Sequence, residues 1–237
     1  MSVEKKEIIL EVSGLNLHPD APALDFSLKR GEALTFIGGN GTGKSRLLAA
    51  LIGQADCGGF VAINGHDVNS PSERMHALAK VGILFQESGL LRDLDVESNI
   101  SLPARVRGWP TGDDAVKEAE LLLGLSGCDY ARYSFASEIS SGESKRIALA
   151  RCLSGGSEVL LLDEPVAGLS SEHREAVLDL LSTLRTEGVI SGLVIFTDDK
   201  IVASRLSDTF IPLRREGTVF GIPGRLTQLP RDPTPVP

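Results

Sequence analysis

The stretch Gly38-Gly39-Asn40-Gly41-Thr42-Gly43-Lys44-Ser45 fits G-x-x-x-x-G-K-[ST], the pattern of a phosphate-binding loop. Its glycines allow backbone angles and close approaches that a side chain would block. Successive N–H groups can then turn inward and form a concave anion site, at which the following helix aims its positive end. Lys44 can reach the outer phosphates and the Ser45 hydroxyl can ligate Mg²⁺, so the stretch predicts a nucleoside triphosphate site.

The sequence on both sides supplies the setting that such a loop needs. Residues 33–37 are an apolar run short enough for a buried strand, and residues 46–52 are good helix formers that end at Gly53. The order strand, glycine-rich turn, helix is the one required. Arg46 opens the helix and is counted with the nucleotide-binding residues. The alternative is a glycine-rich turn between two core elements, which would leave the Lys-Ser pair without a role.

Composition limits the class of protein. A chain of 237 residues can form one large domain or a domain with an inserted lobe, and 42% hydrophobic with 24% charged residues is ordinary for a globular protein. The net charge of −8, without a dense Lys/Arg block, argues against nucleic acid as the main partner. The three cysteines lack metal-ligand spacing and are interpreted as reduced thiols. No window approaches the roughly 18 apolar residues of a spanning helix, so a membrane role would require another chain.

Hydrophobic periodicity predicts an alternation of strands and helices. The predicted strands are residues 8–12, 24–28, 33–37, 60–65 with an Asn-Gly turn, 81–85, 159–163, 193–197 and a short one after Gly217. The predicted helices are residues 46–52, 71–80, 113–125, 143–153 and 172–186. In the helix 113–125 we expect Val116, Ala119, Leu122 and Leu123 to face inward, with Thr111 or Asp113 as the cap.

A second motif follows the apolar strand that ends at Asp163-Glu164-Pro165. A phosphate-loop enzyme needs an Asp there to hold Mg²⁺, directly or through water. A second carboxylate can orient or deprotonate the attacking water. We therefore expect Asp163 as a magnesium ligand and Glu164 as the catalytic carboxylate, against the alternative of a simple turn at the end of a strand.

Three features together resemble one family. The run Ile139-Ser140-Ser141-Gly142-Glu143-Ser144-Lys145-Arg146-Ile147-Ala148-Leu149-Ala150-Arg151 resembles the ABC signature and its helix, L-S-G-G-Q followed after two residues by R-x-A-x-A-R. It lies just upstream of Asp163, and Gln86 after an apolar strand resembles the Q-loop. Over about residues 8–222 the chain is similar to the nucleotide-binding subunit of an ABC ATPase.

The resemblance implies an α/β fold: a P-loop NTPase core with a parallel sheet, an N-terminal antiparallel β subdomain and an inserted helical lobe of about residues 87–150. It implies a single ABC ATPase domain over residues 1–222, and the Pro-rich residues 223–237 are expected to form a tail outside it. The expected cofactors are ATP and Mg²⁺, with Ser45, Gln86 and Asp163 as metal ligands.

The resemblance also implies a dimer, most simply a homodimer. ATP would lie between the loop Gly38–Ser45 of one subunit and the signature residues Ser140, Ser141, Gly142 and Glu143 of the other. Gln86 would approach the Mg²⁺ and the attacking water. The segment 86–102 would face a coupling helix of a transmembrane permease.

Several positions depart from the family pattern. The signature has Ser141 for a glycine and Glu143 for a glutamine, and an added carboxylate near a triphosphate is unfavourable unless it points away. The D-loop, normally ending Leu-Asp, has Ser170. No aromatic residue for stacking on adenine occurs in the turn at residues 15–22, where His18 is either the substitute or an exposed turn residue.

The fifth departure concerns the switch histidine, which is replaced in the run Thr197-Asp198-Asp199. An ionised Asp198 only accepts hydrogen bonds and cannot bridge to the γ-phosphate as a histidine does. Because Glu164 is retained, we expect slow hydrolysis. The alternative is ATP binding with little turnover.

The stretch 85–103 contains Val-Glu-x-Asn-Ile-x-Leu-Pro and resembles the ATPases of Mla-type phospholipid trafficking, lipoprotein release and cell-division signalling in bacterial inner membranes. We therefore expect lipid transport at the cytoplasmic face of the inner membrane, with a periplasmic lipid-binding subunit as a further partner. A mechanotransmitting ATPase and a soluble ABC protein of DNA repair or translation remain open, although one cassette without a coiled-coil insertion or basic arm speaks against the latter.

Overall fold

The structure is a computed structural model and describes residues 7–18, 22–108 and 112–213. The strand predicted after Gly217, the Pro-rich tail and Thr111 lie outside these residues. The elements in chain order are β1 (Ile8–Leu15), β2 (Leu24–Lys29), β3 (Glu32–Ile37), α1 (Lys44–Leu51), β4 (Phe60–Ile63), β5 (His66–Asp67), α2 (Arg74–Leu78), β6 (Val81–Leu84), α3 (Val96–Arg107), α4 (Asp113–Ser126), a short 3-10 helix (Asp129–Ala131), α5 (Ser141–Leu153), β7 (Val159–Asp163), α6 (Ser171–Thr186), β8 (Gly192–Thr197), α7 (Lys200–Leu206) and β9 (Thr209–Pro212).

An antiparallel sheet contains the first strands, in the order β2-β1-β4-β5. In β2 every second residue, Leu24, Phe26 and Leu28, is buried, which is the alternation of a strand with one face on the core. The predicted Asn-Gly turn joins β4 to β5, with Asn64 at φ 51° and Gly65 at φ 80°. Positive φ at both residues is the type I′ geometry that suits the twist of a hairpin.

A five-stranded parallel sheet forms the centre of the molecule, in the order β6-β7-β8-β3-β9. Every residue of β7 and of β8 is buried, as expected for central strands covered on both faces. The sequence does not predict α7 and β9, which are short and carry no strong periodic signal. Because all five strands run the same way, their carboxyl ends meet at one edge, where the predicted site residues lie.

Between β6 and β7, α3, α4 and the short 3-10 helix form the lobe, and α5 joins it to the core. Ile147 and Ala150 of α5 pack with Val96, Ile100, Leu122 and Leu123 of α3 and α4. Ala148, Leu149 and Cys152 of the same helix pack against the sheet. A Cβ at Gly82 in β6 would lie 2.1 Å from the carbonyl oxygen of Cys152, so only glycine allows α5 to approach this closely.

Two local predictions for α4 are wrong. Val116 is exposed, because the first turn of the helix extends beyond its packing partners and the buried stripe begins at Ala119. The N-cap is Gly112 at φ 60° with no side-chain cap, and Asp113 is the first helical residue. Asp113 and Asp114 instead place negative charge in the first turn, where the helix dipole favours it.

The helix predicted at residues 71–80 is shorter in the structure, where α2 spans only Arg74–Leu78.

Candidate nucleotide site

The loop between β3 and α1 has the geometry that its glycines predict. Gly41 and Gly43 have φ values of 78° and 95°, in the left-handed region that favours glycine. A Cβ at Gly38 would lie 2.6 Å from the Thr42 hydroxyl oxygen and 2.7 Å from the Leu213 carbonyl oxygen. The tight path of the loop therefore requires glycine at all three positions.

Lys44 is buried at the start of α1, and its amine lies inside the loop. It donates hydrogen bonds to the carbonyl oxygens of Gly38 at 2.6 Å and Gly39 at 3.3 Å. Its Nζ also lies 3.1 Å from Oε1 of Glu164, in an ion pair whose side chains are 8% and 12% exposed. The amine that is predicted to bind phosphate is thus already paired with the predicted catalytic carboxylate.

Ser45 and Asp163 are brought together from α1 and the end of β7. The Ser45 hydroxyl donates to Oδ2 of Asp163 at 3.0 Å, while Oδ1 of Asp163 is buried and has no hydrogen-bond partner. Burial raises the pKa of Asp163 above its ordinary value, although the hydrogen bond from Ser45 lowers it. A hydroxyl beside an unpaired carboxylate oxygen suits a hard divalent cation, so these residues fit Mg²⁺.

Glu164 is held in a strained conformation at the end of β7. Its φ is 48°, which is unusual for a residue with a side chain, and its N–H donates to the carbonyl of Phe196 at 2.9 Å. The Thr197 hydroxyl donates to Oε2 of Glu164 at 2.8 Å. With Lys44 on one oxygen and Thr197 on the other, the carboxylate has a fixed orientation. Thr197 had no predicted role, although its position at the end of a buried strand pointed to this edge.

The two aspartates after β8 have different surroundings. Asp199 caps α7 by accepting from the N–H groups of Ile201 and Val202, and it pairs with Arg174 on α6. Burial would raise the pKa of Asp199, but the hydrogen bonds from Arg174 and the two N–H groups lower it. Asp198 is exposed, and within the described residues its side chain makes no hydrogen bond or ion pair. Of the two, Asp198 alone is available for the predicted switch position.

The signature residues form the N-terminus of α5. Ser140 is the N-cap and, with Glu143, forms a reciprocal capping box. Oε2 of Glu143 accepts from the N–H of Ser140 at 2.7 Å, and Oε1 accepts from the Tyr130 hydroxyl. The hydrogen bonds from Ser140 and Tyr130 lower the pKa of Glu143 to about 2. The added carboxylate is therefore turned back onto its own helix, while Ser141 and Gly142 occupy the first turn.

The remaining predicted residues are at the surface. Gln86 is exposed directly after β6, and Arg46 is exposed on α1. His18 is exposed in the turn after β1, next to Leu17, whose Cδ1 would lie 3.9 Å from a Cβ at Gly43. The turn therefore reaches the phosphate loop, but stacking of His18 on adenine stays a prediction.

Within the described part of the chain, no hydrogen bond or ion pair joins the signature residues 140–143 to the phosphate loop 38–45. Their meeting across a dimer remains a prediction. Lys145 was not among the predicted site residues; it is a buried residue of α5 whose amine reaches the carbonyl of Gln86 at 3.0 Å. Ala148 and Leu149 follow it by one helical turn, and their apolar face was the available signal that Lys145 is buried.

Comparison with known proteins identifies the family. The family model described as ABC transporter matches residues 22–167. The chain belongs to the ABC transporter family. It is 32% identical over 208 residues to the methionine import ATP-binding protein MetN 2 of Rhodococcus jostii, covering 84% of this chain and 61% of that relative. This ABC chain thus spans less than two thirds of the length of that relative.

Two further proteins resemble the ABC chain over most of their length. The lipoprotein-releasing system ATP-binding protein LolD of Hydrogenovibrio crunogenus is 32% identical over 209 residues, which cover 83% of this chain and 90% of LolD. The structure of cbiO1 from Clostridium perfringens, part of the ABC transporter complex cbiONQ, has a TM-score of 0.76 at 28% identity and covers 91% of this chain and 88% of that one. The predicted family and fold class are confirmed.

Proposed function

We propose that this chain is the ATP-binding and ATP-hydrolysing subunit of an ABC transporter. The observation that carries the proposal is the contact network at the carboxyl edge of the parallel sheet. There Lys44 pairs with Glu164 at 3.1 Å and Ser45 donates to Asp163 at 3.0 Å. These four side chains are those required to bind the phosphates, hold a cation and activate water.

ATP binding changes the partner of Lys44. The N–H groups of residues 38–45 and the positive end of α1 bind the β- and γ-phosphates, and the amine of Lys44 exchanges Glu164 for phosphate oxygens. Ser45, Asp163 and Gln86 would hold Mg²⁺, which when bound neutralises charge on the phosphates. Glu164, released on one oxygen and still held by Thr197 on the other, then orients the attacking water and accepts its proton.

Hydrolysis is slow in this proposal because Asp198 cannot donate to the γ-phosphate. Asp198 is exposed, and a carboxylate at this position repels the phosphate oxygens. ATP binding with little turnover is the second candidate, and the exposed Asp198 is the observation in its favour.

A homodimer completes each site in trans. The N-terminus of α5 directs its positive end outward at Ser140, and Glu143 is turned back rather than toward an incoming phosphate. Two such subunits would each supply the signature residues 140–143 to the loop of the other.

The partner at the membrane is a separate permease. Within the described residues no helix has the length and apolar character needed to cross a bilayer. Phe85 and Leu91, 39% and 49% exposed, are apolar residues at the two ends of residues 85–91 that a coupling helix would contact. The chain would then work at the cytoplasmic face of the inner membrane, and nucleic acid is not part of the proposal.

For the cargo we retain a lipid or lipid-linked molecule, of the Mla or lipoprotein-release type. The similarity to LolD over 90% of its length and the motif at residues 96–103 support this choice. The matches to MetN proteins favour methionine import as the second candidate. A mechanotransmitting role in regulating the cell envelope remains the third alternative.

Two experiments test the ATPase activity and the identity of the cargo separately. Single-turnover hydrolysis of γ-labelled ATP by the full chain, with the chain in excess, tests the activity, and absence of phosphate release above that of Lys44→Ala would contradict it. Copurification tests the cargo: a permease together with a periplasmic lipid-binding subunit supports lipid transport. A permease with an amino-acid-binding subunit would favour methionine import, and a ribosomal or DNA fraction would contradict both.

A further inference from the structure

Lys145 lies on α5 with 5% of its surface exposed, and its amine faces three backbone carbonyls. Nζ donates to Gln86 at 3.0 Å and reaches Phe85 and Asp163 at 3.4 Å each. Burial lowers the pKa of the Lys145 amine, and the nearby carboxylates of Asp163 and Glu164 act in the opposite direction. An ammonium donates three hydrogen bonds, so all its donors are used on the two residues that follow β6 and on the last residue of β7.

Arg151, six residues further along the same helix, contacts the far end of the segment 85–89. Its guanidinium nitrogens donate to the carbonyls of Ser88 and Gly89 at 2.8 Å each. Six helical residues advance about 9 Å, so two cations on one helix contact the segment 85–89 near both its ends. The loop after β6 thus takes its backbone path from α5.

The same helix begins with the signature residues. Ser140 is its N-cap, and the close approach at Gly82 packs α5 directly against β6. A displacement of the signature end of α5 therefore moves the amine of Lys145, and with it the backbone of Gln86 and Asp163.

We propose that Lys145, assisted by Arg151, is a positioning residue that couples the signature helix to Gln86 and Asp163 in the nucleotide site. The inference rests on the proposed function, because it assigns Lys145 a role in the same hydrolysis. The lysine does not touch the nucleotide. It fixes the backbone from which the side chains of Gln86 and Asp163 reach the cation and the water, and it links that placement to the position of the signature.

A double-mutant cycle on the full chain tests this role. The variants are Lys145→Met, which keeps the length of the side chain and removes its donors, Gln86→Ala, and the two combined. Arg107→Met is the matched control, because Arg107 is a partly buried cation of the helical lobe that donates to carbonyls in the loop before β7 and at the start of β6, the end of that strand opposite to Gln86. Single-turnover hydrolysis and the Kd for ATP are measured for each variant below its melting temperature.

If Lys145 acts through Gln86, each single variant slows hydrolysis by about tenfold or more with a Kd within about threefold of the wild type, and the double variant is no more than about threefold slower than the slower single variant. Arg107→Met lowers thermal stability and combines with Gln86→Ala multiplicatively. Arg151→Met takes the place of Lys145→Met if the latter does not fold, with the same expected coupling.

Three results would overturn the inference while the wild type hydrolyses ATP: multiplicative rates for Lys145→Met and Gln86→Ala, an unchanged rate for Lys145→Met, or the same coupling for Arg107→Met. A wild type without hydrolysis would overturn the proposed ATPase function itself, and the positioning role with it. The rate of the wild type therefore separates the two failures.

Discussion

Replacing Glu164 by glutamine removes one charge from the site and changes its shape very little. Glutamine keeps one oxygen, which can accept from Lys44 in place of Oε1, 3.1 Å from its amine, while the amide NH2 in place of Oε2 can donate to the Thr197 hydroxyl, which lies 2.8 Å away. It cannot accept the proton of the attacking water. We therefore expect hydrolysis to fall by about 10²–10⁴-fold, the usual contribution of a positioned general base.

The same substitution is expected to strengthen ATP binding. At an effective dielectric constant of about 20, unit charges about 4 Å apart attract by about 4 kcal/mol, and desolvation of the two groups offsets most of this. A net loss of about 1 kcal/mol from the competing Lys44–Glu164 pair would raise the affinity for ATP by about fivefold. The substituted chain would then accumulate as an ATP-bound dimer.

Single-turnover hydrolysis and titration with a fluorescent ATP analogue measure the two effects on one preparation. Glu172→Gln is the matched control, since Glu172 is an exposed glutamate in the first turn of α6. Hydrolysis within about threefold of the wild type would refute the role of Glu164 as a base. Loss of ATP binding would refute the view that its carboxylate competes for Lys44.

Four further predictions address other parts of the molecule. Lys44→Ala should lower the affinity for MgATP by about 100-fold, because the charge-assisted hydrogen bonds to phosphate are lost, whereas Lys80→Ala at an exposed ion pair should leave it unchanged in the same titration. Asp198→His should raise the single-turnover rate by about tenfold or more, since a histidine donates to the γ-phosphate. Glu143 has a folded-state pKa of about 2 against an ordinary 4.5, so its contribution to stability is present above pH 4.5 and is lost as the pH falls toward 2. Urea unfolding of Glu143→Gln should therefore show a smaller loss of stability over that range than the wild type. Leu161→Ala, in the fully buried β7, should lower the free energy of unfolding by about 2–5 kcal/mol in the same assay.

Each of these predictions has an outcome that contradicts it. Wild-type affinity in Lys44→Ala would remove the phosphate-loop assignment. An unchanged rate in Asp198→His would mean that another group already acts on the γ-phosphate. Equal acid sensitivity of Glu143→Gln and the wild type would mean that the capping box does not persist in solution, and a loss below about 1 kcal/mol in Leu161→Ala would contradict close packing around β7.

The parts of the fold that the sequence predicts are those with a strong local signal. The glycine pattern at 38–43 places a loop between a strand and a helix because the backbone angles there exclude other residues. The central strands at 159–163 and 193–197 are recognisable because a parallel sheet buries both of their faces. The helix at 113–126 is found from its periodicity, but Val116 is misplaced, because periodicity does not show where the neighbouring elements end.

Contacts that depend on tertiary packing are outside the reach of sequence patterns. Nothing local indicates that Thr197 would hold Glu164 or that Lys145 would reach Gln86, since these partners are 33 and 59 residues apart. The orientation of the Glu143 carboxylate, away from the expected phosphate, is an exception because a local sequence pattern determines it. The capping-box spacing between Ser140 and Glu143 is visible in the sequence, and applying it would have predicted where that carboxylate points.

The left-handed backbone at Glu164 places conformational strain on the residue that the proposed reaction most needs. A side chain at φ 48° costs about 1–2 kcal/mol relative to glycine, which adopts this conformation without that cost. Glu164→Gly would relieve this strain, but it would also leave the buried amine of Lys44 without its carboxylate and the Thr197 hydroxyl without its acceptor. The contacts that orient the carboxylate for the reaction therefore also offset the cost of the backbone conformation that presents it.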